Sequence, residues 1–184
     1  MPFSALFQLK TFDTFWLSNT PFEVSKHPDT KNFRICTTAQ FSTPAGDLTV
    51  LATHWDQTSD SARALSASLI LQRAQYEVEQ SSRPILLFGD FNSVTSTVQG
   101  ESTGYQIITG ESDPVAINST FQAKYPTTSN ATFNFVNLRQ ATPATRRSGN
   151  FATFTGFGSS YNETFVNASS SQIDFLFGGS NGGW

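Results

Sequence analysis

Along the first half of the chain, the order of apolar and polar positions spells out a series of elements. "FRICTTAQF" alternates as a strand does. "FSTPAGDLTVLATHWD" reads as a strand, a turn at Pro44-Ala45-Gly46-Asp47, and a second strand over residues 48–53 that ends on His54. In "SDSARALSASLILQRAQYEVEQSS" the residues Ala62, Leu65, Leu69, Ile70 and Ala74 recur at helical spacing behind Ser59 or Asp60 as N-cap. That pattern predicts a helix of about four to five turns. "RPILLFGDFNS" follows, an apolar run too short for a helix and read as a strand covered on both faces, where Gly89 lets the backbone turn. Strand, helix, strand sets the two strands side by side with the helix on one face, so His54 and Asp90 fall at equivalent strand ends. Residues 93–171 are polar and rich in Gly, Ser and Thr, with short candidate segments such as "TGYQIIT" and "NATFNFVNL". They read as loops, one or two short helices and edge strands. "SSQIDFLFGGSNGGW" then gives a short strand over residues 172–177 and a glycine-rich exit. It carries Asp174 among apolar neighbours, where a charge needs a partner.

The acid and amide that close "ILLFGDFN" are the first chemical signal. Ligands gather at the carboxyl ends of strands in open α/β sheets, and Asp90 and Asn92 put two oxygens on one short segment. Such a pair can hold a hard cation or orient a phosphate. Gly, Asp, Asn and Ser also form turns, so a strand-ending turn explains the same residues. Likewise His54 can cap a loop and Asp174 can bond nearby amides. Taken together, a base or carboxylate for water and donors for phosphoryl oxygens match the needs of phosphoester hydrolysis.

Composition narrows the classes. The chain has 184 residues, enough for one domain spanning 1–184. With 38% hydrophobic residues and 18 Phe, aromatic packing must supply much of its core. The net charge is −3, and no Lys/Arg cluster exceeds Arg146-Arg147, so a footprint for duplex nucleic acid is missing. The single cysteine, Cys36, rules out an intramolecular disulfide and a cysteine-based zinc site, and reads as a small buried filler. Ser and Thr make up about a quarter of the chain, and Asn118, Asn130, Asn162 and Asn167 begin Asn-x-Ser/Thr sequons. Both features suggest an extracellular, glycosylated protein, although "MPFSALFQLK" lacks a charged n-region followed by an apolar h-region. No apolar stretch approaches membrane-span length.

"TFWLSNTP" (residues 14–21), "THWD" followed by "SARALSASLIL", "ILLFGDFNS" and "QIDFLFGGSNGGW" occur in that order across almost the whole chain. In these blocks the sequence resembles the endonuclease/exonuclease/phosphatase superfamily, and most of all its small phosphatase-like branch. The resemblance implies a DNase I-like α/β sandwich, two packed β-sheets flanked by helices. It implies hydrolysis of a small phosphorylated substrate by an activated water, with Mg²⁺ or Mn²⁺ as cofactor. It further implies that Asp90 orients or deprotonates the water, and that Asn92 holds the phosphate and with Asp90 shapes the metal site. His54 would hydrogen-bond a phosphoryl oxygen. Asp174 matches the family acid that fixes a second catalytic histidine.

The departures are also informative. The family's early strand with an Asn ligand, the later Glu that binds Mg²⁺, and the closing Ser-Asp-His block have no counterparts here. His27, the one other histidine, lies in the loop "SKHPDT" and reads as a solvated surface residue. The expectation is therefore a monomeric phosphoesterase fragment, truncated at both ends and incomplete for catalysis. The alternative is a non-catalytic member that binds a phosphorylated or glycan ligand.

Overall fold

The computed structural model describes residues 6–81, 83–95, 103–128, 133–149, 152–156 and 170–179. Its strands are β1 (Gln8–Trp16), β2 (Ile35–Thr43), β3 (Gly46–His54), β4 (Ile85–Asp90), β5 (Val136–Asn137) and β6 (Asp174–Gly179). They make one six-stranded sheet in the order β1-β2-β3-β4-β6-β5. Neighbours are antiparallel except β3 and β4, which run parallel. Between those two lies the long helix α1 (Asp60–Ser81), so the strand-helix-strand reading holds. The helix has 22 residues, longer than its apolar spacing predicts.

The N-cap of α1 is Ser59, whose Oγ accepts from the Ala62 amide at 3.1 Å. The helix is buried nearly all round, which weakens any one-sided stripe in its sequence. Ser66 and Ser68 tolerate this burial because their hydroxyls donate to the carbonyls of Ala62 and Ala64, one turn back. On the sheet, Leu51, Ile85, Leu87, Phe175 and Phe177 face the helix side and are at most 4% exposed. Cys36 is fully buried among them, as its strand pattern suggests. The segment "TGYQIIT" forms helix α2 (Thr103–Thr109), and α3 (Ser119–Lys124) and α4 (Leu138–Ala141) are short.

Alternation along each strand sends the complementary residues to the other face. Phe12, Ile35, Phe88, Val136 and Leu176 lie there, 39–66% exposed. The expected DNase I-like layering of helix on sheet is present, and the described strands supply one sheet of the sandwich. Its second face carries an open apolar surface.

A partly buried ionic network ties sheet to helices. The Arg73 guanidinium donates to Asp13 Oδ2 at 2.6 Å and to Glu77 Oε1 at 2.8 Å. Tyr125 Oη donates to the same Asp13 oxygen at 2.7 Å, and Gln40 donates to Glu77 Oε2 at 2.7 Å. Burial alone raises the Asp13 carboxyl, but the Arg73 and Tyr125 hydrogen bonds and the Arg73 charge outweigh it and hold it below the usual range. A depressed folded value means stability that is present above the unfolded carboxyl range and lost as pH falls through the folded one. The melting temperature is therefore expected to fall on acidification below about pH 4, and Asp13→Asn should be less stable at neutral pH with a shallower acid slope. Circular-dichroism melts of both proteins across that range check this, and parallel slopes would remove Asp13 as a source.

Among the described residues, no helix is long and apolar enough to cross a membrane. Asn118, of the predicted sequons, is the N-cap of α3; its Oδ1 accepts from Thr120 and Phe121, and its Nδ2 donates to the Asn19 carbonyl. Asn130, Asn162 and Asn167 lie outside the described residues. His27 is less solvated than its loop suggests, with only 13% of its side chain exposed and its Nδ1 accepting from the Asp29 amide.

Candidate active site

The register across three neighbouring strands builds the site. His54 on β3 pairs in register with Asp90 on β4, and Asp90 pairs with Asp174 on β6. Residues in register point to the same face, so the three stand in one row at the end of the open sheet face. His54 Nε2 lies 3.5 Å from Asp90 Oδ2. Asp90 and Asp174, two acids directly opposite each other on antiparallel strands, repel.

Local chemistry explains why "GDFN" closes β4. Phe91 turns inward and is 1% exposed, its ring packed on Trp55 (centroids 4.7 Å apart), Phe177 (5.0 Å) and Phe175 (5.8 Å). With Phe91 anchored, Asp90 and Asn92 on either side remain at the surface of the turn. Asn92 has φ of 44°, a left-handed conformation that asparagine tolerates better than most residues. Its amide N–H donates to Asp90 Oδ1 at 2.8 Å, and its Nδ2 donates to the Trp55 carbonyl at 2.9 Å. The turn is also stitched to both flanking strands, by Trp55 N–H to the Asp90 carbonyl and Phe91 N–H to the Ile173 carbonyl. Asp90 thus has one oxygen committed to the turn and the other facing His54. Asn92 keeps one amide hydrogen and its Oδ1 beyond the bond to Trp55.

A cavity of about 590 Å³ opens beside this row. Its lining combines the polar side chains of His54, Asp90, Asn92, Arg34 and Gln57 with the apolar ones of Val94, Phe154 and Ile173. Asp174 stands in the row but outside the lining; its amide, like that of Ile173, donates to Thr153 Oγ1. The sequence motifs therefore bring His54, Asp90 and Asn92 to one cavity and Asp174 to its margin.

Arg34 and Gln57 escape the sequence reading, as does Asp56 behind them. Asp56 is 2% exposed, and its Oδ1 accepts from the Thr58 amide, the Thr58 hydroxyl and the Ser59 amide. Burial raises its carboxyl, but these hydrogen bonds and the nearby Arg34 charge hold it below the usual range. "THWD" contains the one usable signal, a second acid two residues after His54.

Asp90 and Asn92 offer two side-chain oxygens for a cation, whereas Mg²⁺ takes six oxygens in octahedral array and fixes itself on carboxylates. Among the described residues, no group of three or more His, Cys, Asp or Glu side chains comes together as a metal site. The described residues alone do not fit a complete Mg²⁺ site.

Neither a family model nor a curated protein matches the chain. Solved structures do. A mannosyl-6-phosphatase of Bacteroides thetaiotaomicron superposes with a TM-score of 0.63 at 23% identity, over 97% of this chain and 55% of that one. An endonuclease/exonuclease/phosphatase of Bacteroides vulgatus gives 0.61 at 23%, over 96% and 56%. The catalytic domain of human Nocturnin, with a bound sulfate anion, gives 0.57 at 12%, over 95% and 49%. The fold is that of the endonuclease/exonuclease/phosphatase superfamily. The chain spans about half the length of these superfamily structures.

Proposed function

We propose that the cavity beside His54 and Asp90 binds a small organic phosphate and hydrolyses its phosphoester bond. The observation that carries this reading is the row His54, Asp90, Asp174 in register on three strands, next to a cavity lined by both polar and apolar side chains. Asp90 Oδ2 has the position and charge to take a proton from a water, since Oδ1 is held by the Asn92 amide. The water oxygen bonds to phosphorus as the ester oxygen leaves; that oxygen takes up a proton from solvent, and Asp90 returns its own proton to solvent. His54, held beside Asp90, and the remaining Asn92 amide hydrogen are donors for phosphoryl oxygens on which charge grows. Val94, Phe154 and Ile173 suit the apolar side of a leaving group such as a sugar face.

Similarity to a mannosyl-6-phosphatase supports a phosphomonoester, and the net charge of −3 disfavours nucleic acid. The sequons favour an extracellular setting. Mg²⁺ or Mn²⁺ dependence belongs to the same proposal, with ligands needed beyond Asp90 and Asn92. The test is release of inorganic phosphate from a panel of sugar and aryl phosphates by this chain, with Mg²⁺, with Mn²⁺ and with EDTA. Hydrolysis of monoesters above the rate without protein is expected. Binding of these compounds without turnover in any arm would instead make the site a phosphate-ligand pocket.

A further inference from the structure

We propose that Arg34 receives the anionic group of the ligand in this cavity, and that Asp56 and Gln57 aim it there. The inference rests on the phosphoester reading and assigns to it a specificity residue outside the row of His54, Asp90 and Asp174.

The charge balance of the cavity requires such a residue. A phosphate entering beside Asp90, with Asp174 in the same row, meets negative charge on the side where it must react. Among the described lining residues, Arg34 is the one Lys or Arg. A guanidinium presents planar pairs of donors that match phosphate oxygens two at a time, and desolvation strengthens the contact.

The surroundings of Arg34 look preset for a further partner. Its side chain is only 15% exposed. Nη2 donates to Gln57 Oε1 at 2.6 Å, while Nε faces Asp56 Oδ2 at 3.9 Å. Both Nε and that oxygen are buried without a hydrogen bond. Buried charges left short of hydrogen bonding are costly, so a purely structural clamp would be expected to close this gap. Asp56 cannot follow Arg34, because its other oxygen is fixed by three donors at the start of α1. It acts as a stationary anion that orients the guanidinium.

Chain order supports the same view. His54, Asp56 and Gln57 lie on one short segment, with Trp55 between them fully buried against Phe91. One anchored turn therefore positions His54 and also the two residues that hold Arg34.

The test is calorimetric titration of the full chain with inorganic phosphate at fixed ionic strength, for wild type, Arg34→Gln, Arg34→Lys, Asp56→Asn and the Arg34→Gln/Asp56→Asn double variant. Arg34→Gln is expected to weaken phosphate binding about tenfold to a hundredfold, as loss of charged hydrogen bonds does. Arg34→Lys should recover part of that loss, because charge returns without the fork. Asp56→Asn keeps the oxygen that accepts from Thr58 and Ser59, so it should weaken binding when Arg34 is present and have no effect in the Arg34→Gln background. A structural clamp would change melting temperature in both backgrounds and leave this coupling at zero. Wild-type phosphate affinity in Arg34→Gln, equal effects of Asp56→Asn in both backgrounds, or no phosphate binding by the wild type would each overturn the proposal. If Arg34→Gln does not fold, affinity in Arg34→Lys equal to wild type overturns it, and a partial loss supports it. Phosphate binding through Arg34 without ester hydrolysis would remove the hydrolase reading alone.

Discussion

Asp90→Asn should lower phosphoester turnover by at least about two orders of magnitude while the fold survives. Asparagine keeps an oxygen for the Asn92 amide, so the turn that closes β4 stays in place and only the proposed base is lost. Asp90→Ala removes both, and comparing the two variants separates chemistry from turn geometry. His54→Ala should produce a loss of similar size, because the imidazole stands 3.5 Å from Asp90 Oδ2 beside the place where the phosphoryl oxygens would lie. The double variant should then fall little further than either single one, as expected for residues that act as a unit. Steady-state kinetics on whichever phosphomonoester the chain hydrolyses measures all four proteins. Turnover by Asp90→Asn within a few-fold of wild type, with its melting temperature unchanged, would take Asp90 out of the mechanism.

The parts of this site that could be read from sequence are those whose geometry is local. Strand, helix, strand alone puts His54 and Asp90 at equivalent ends of neighbouring strands, and the parallel register of β3 and β4 sets them opposite each other. The turn residues of "GDFN" announce a strand end, and Phe91 between two polar residues implies an anchor flanked by exposed groups. Arg34 was not legible, because it precedes β2 and meets Gln57 and Asp56 only after the sheet forms; nothing near it in sequence distinguishes it from a surface arginine. Asp174 reads in sequence as an acid needing a partner, yet on β6 it is exposed to solvent, and its place opposite Asp90 depends on the antiparallel register of strands far apart in the chain. "TGYQIIT" is ambiguous for another reason: a seven-residue segment has too few turns to separate helix from strand, and contact with α1 decides it. Apolar spacing understates the length of α1 because burial on nearly every side, with serines bonded to their own helix, removes the polar face that periodicity relies on.

Gly89→Ala should be the most damaging small substitution near the site. Gly89 has φ of 145°, where an L side chain is strained, and a Cβ there would sit 1.8 Å from the Thr53 carbonyl oxygen. Thr53 is its register partner on β3, so the clash is backbone against backbone and no rotamer relieves it. Relief requires parting β3 from β4 at their ends, which strains the Trp55 amide bond to Asp90 and the Asn92 bond to the Trp55 carbonyl. Backbone strain and overpacking, each about 1–3 kcal/mol, together predict a loss of about 3 kcal/mol or more, a large share of the stability of an ordinary domain. Gly46 is the matched control, since its φ is 121° but a Cβ there meets nothing within 4 Å. Gly46→Ala therefore carries the conformational penalty without the clash. Urea unfolding of the two variants should differ by the packing component, and the midpoint of Gly89→Ala should fall well below that of Gly46→Ala. Equal midpoints would mean that β3 and β4 can separate freely at this end, and the row of His54, Asp90 and Asp174 would then not be held rigidly enough to serve as a preorganised site.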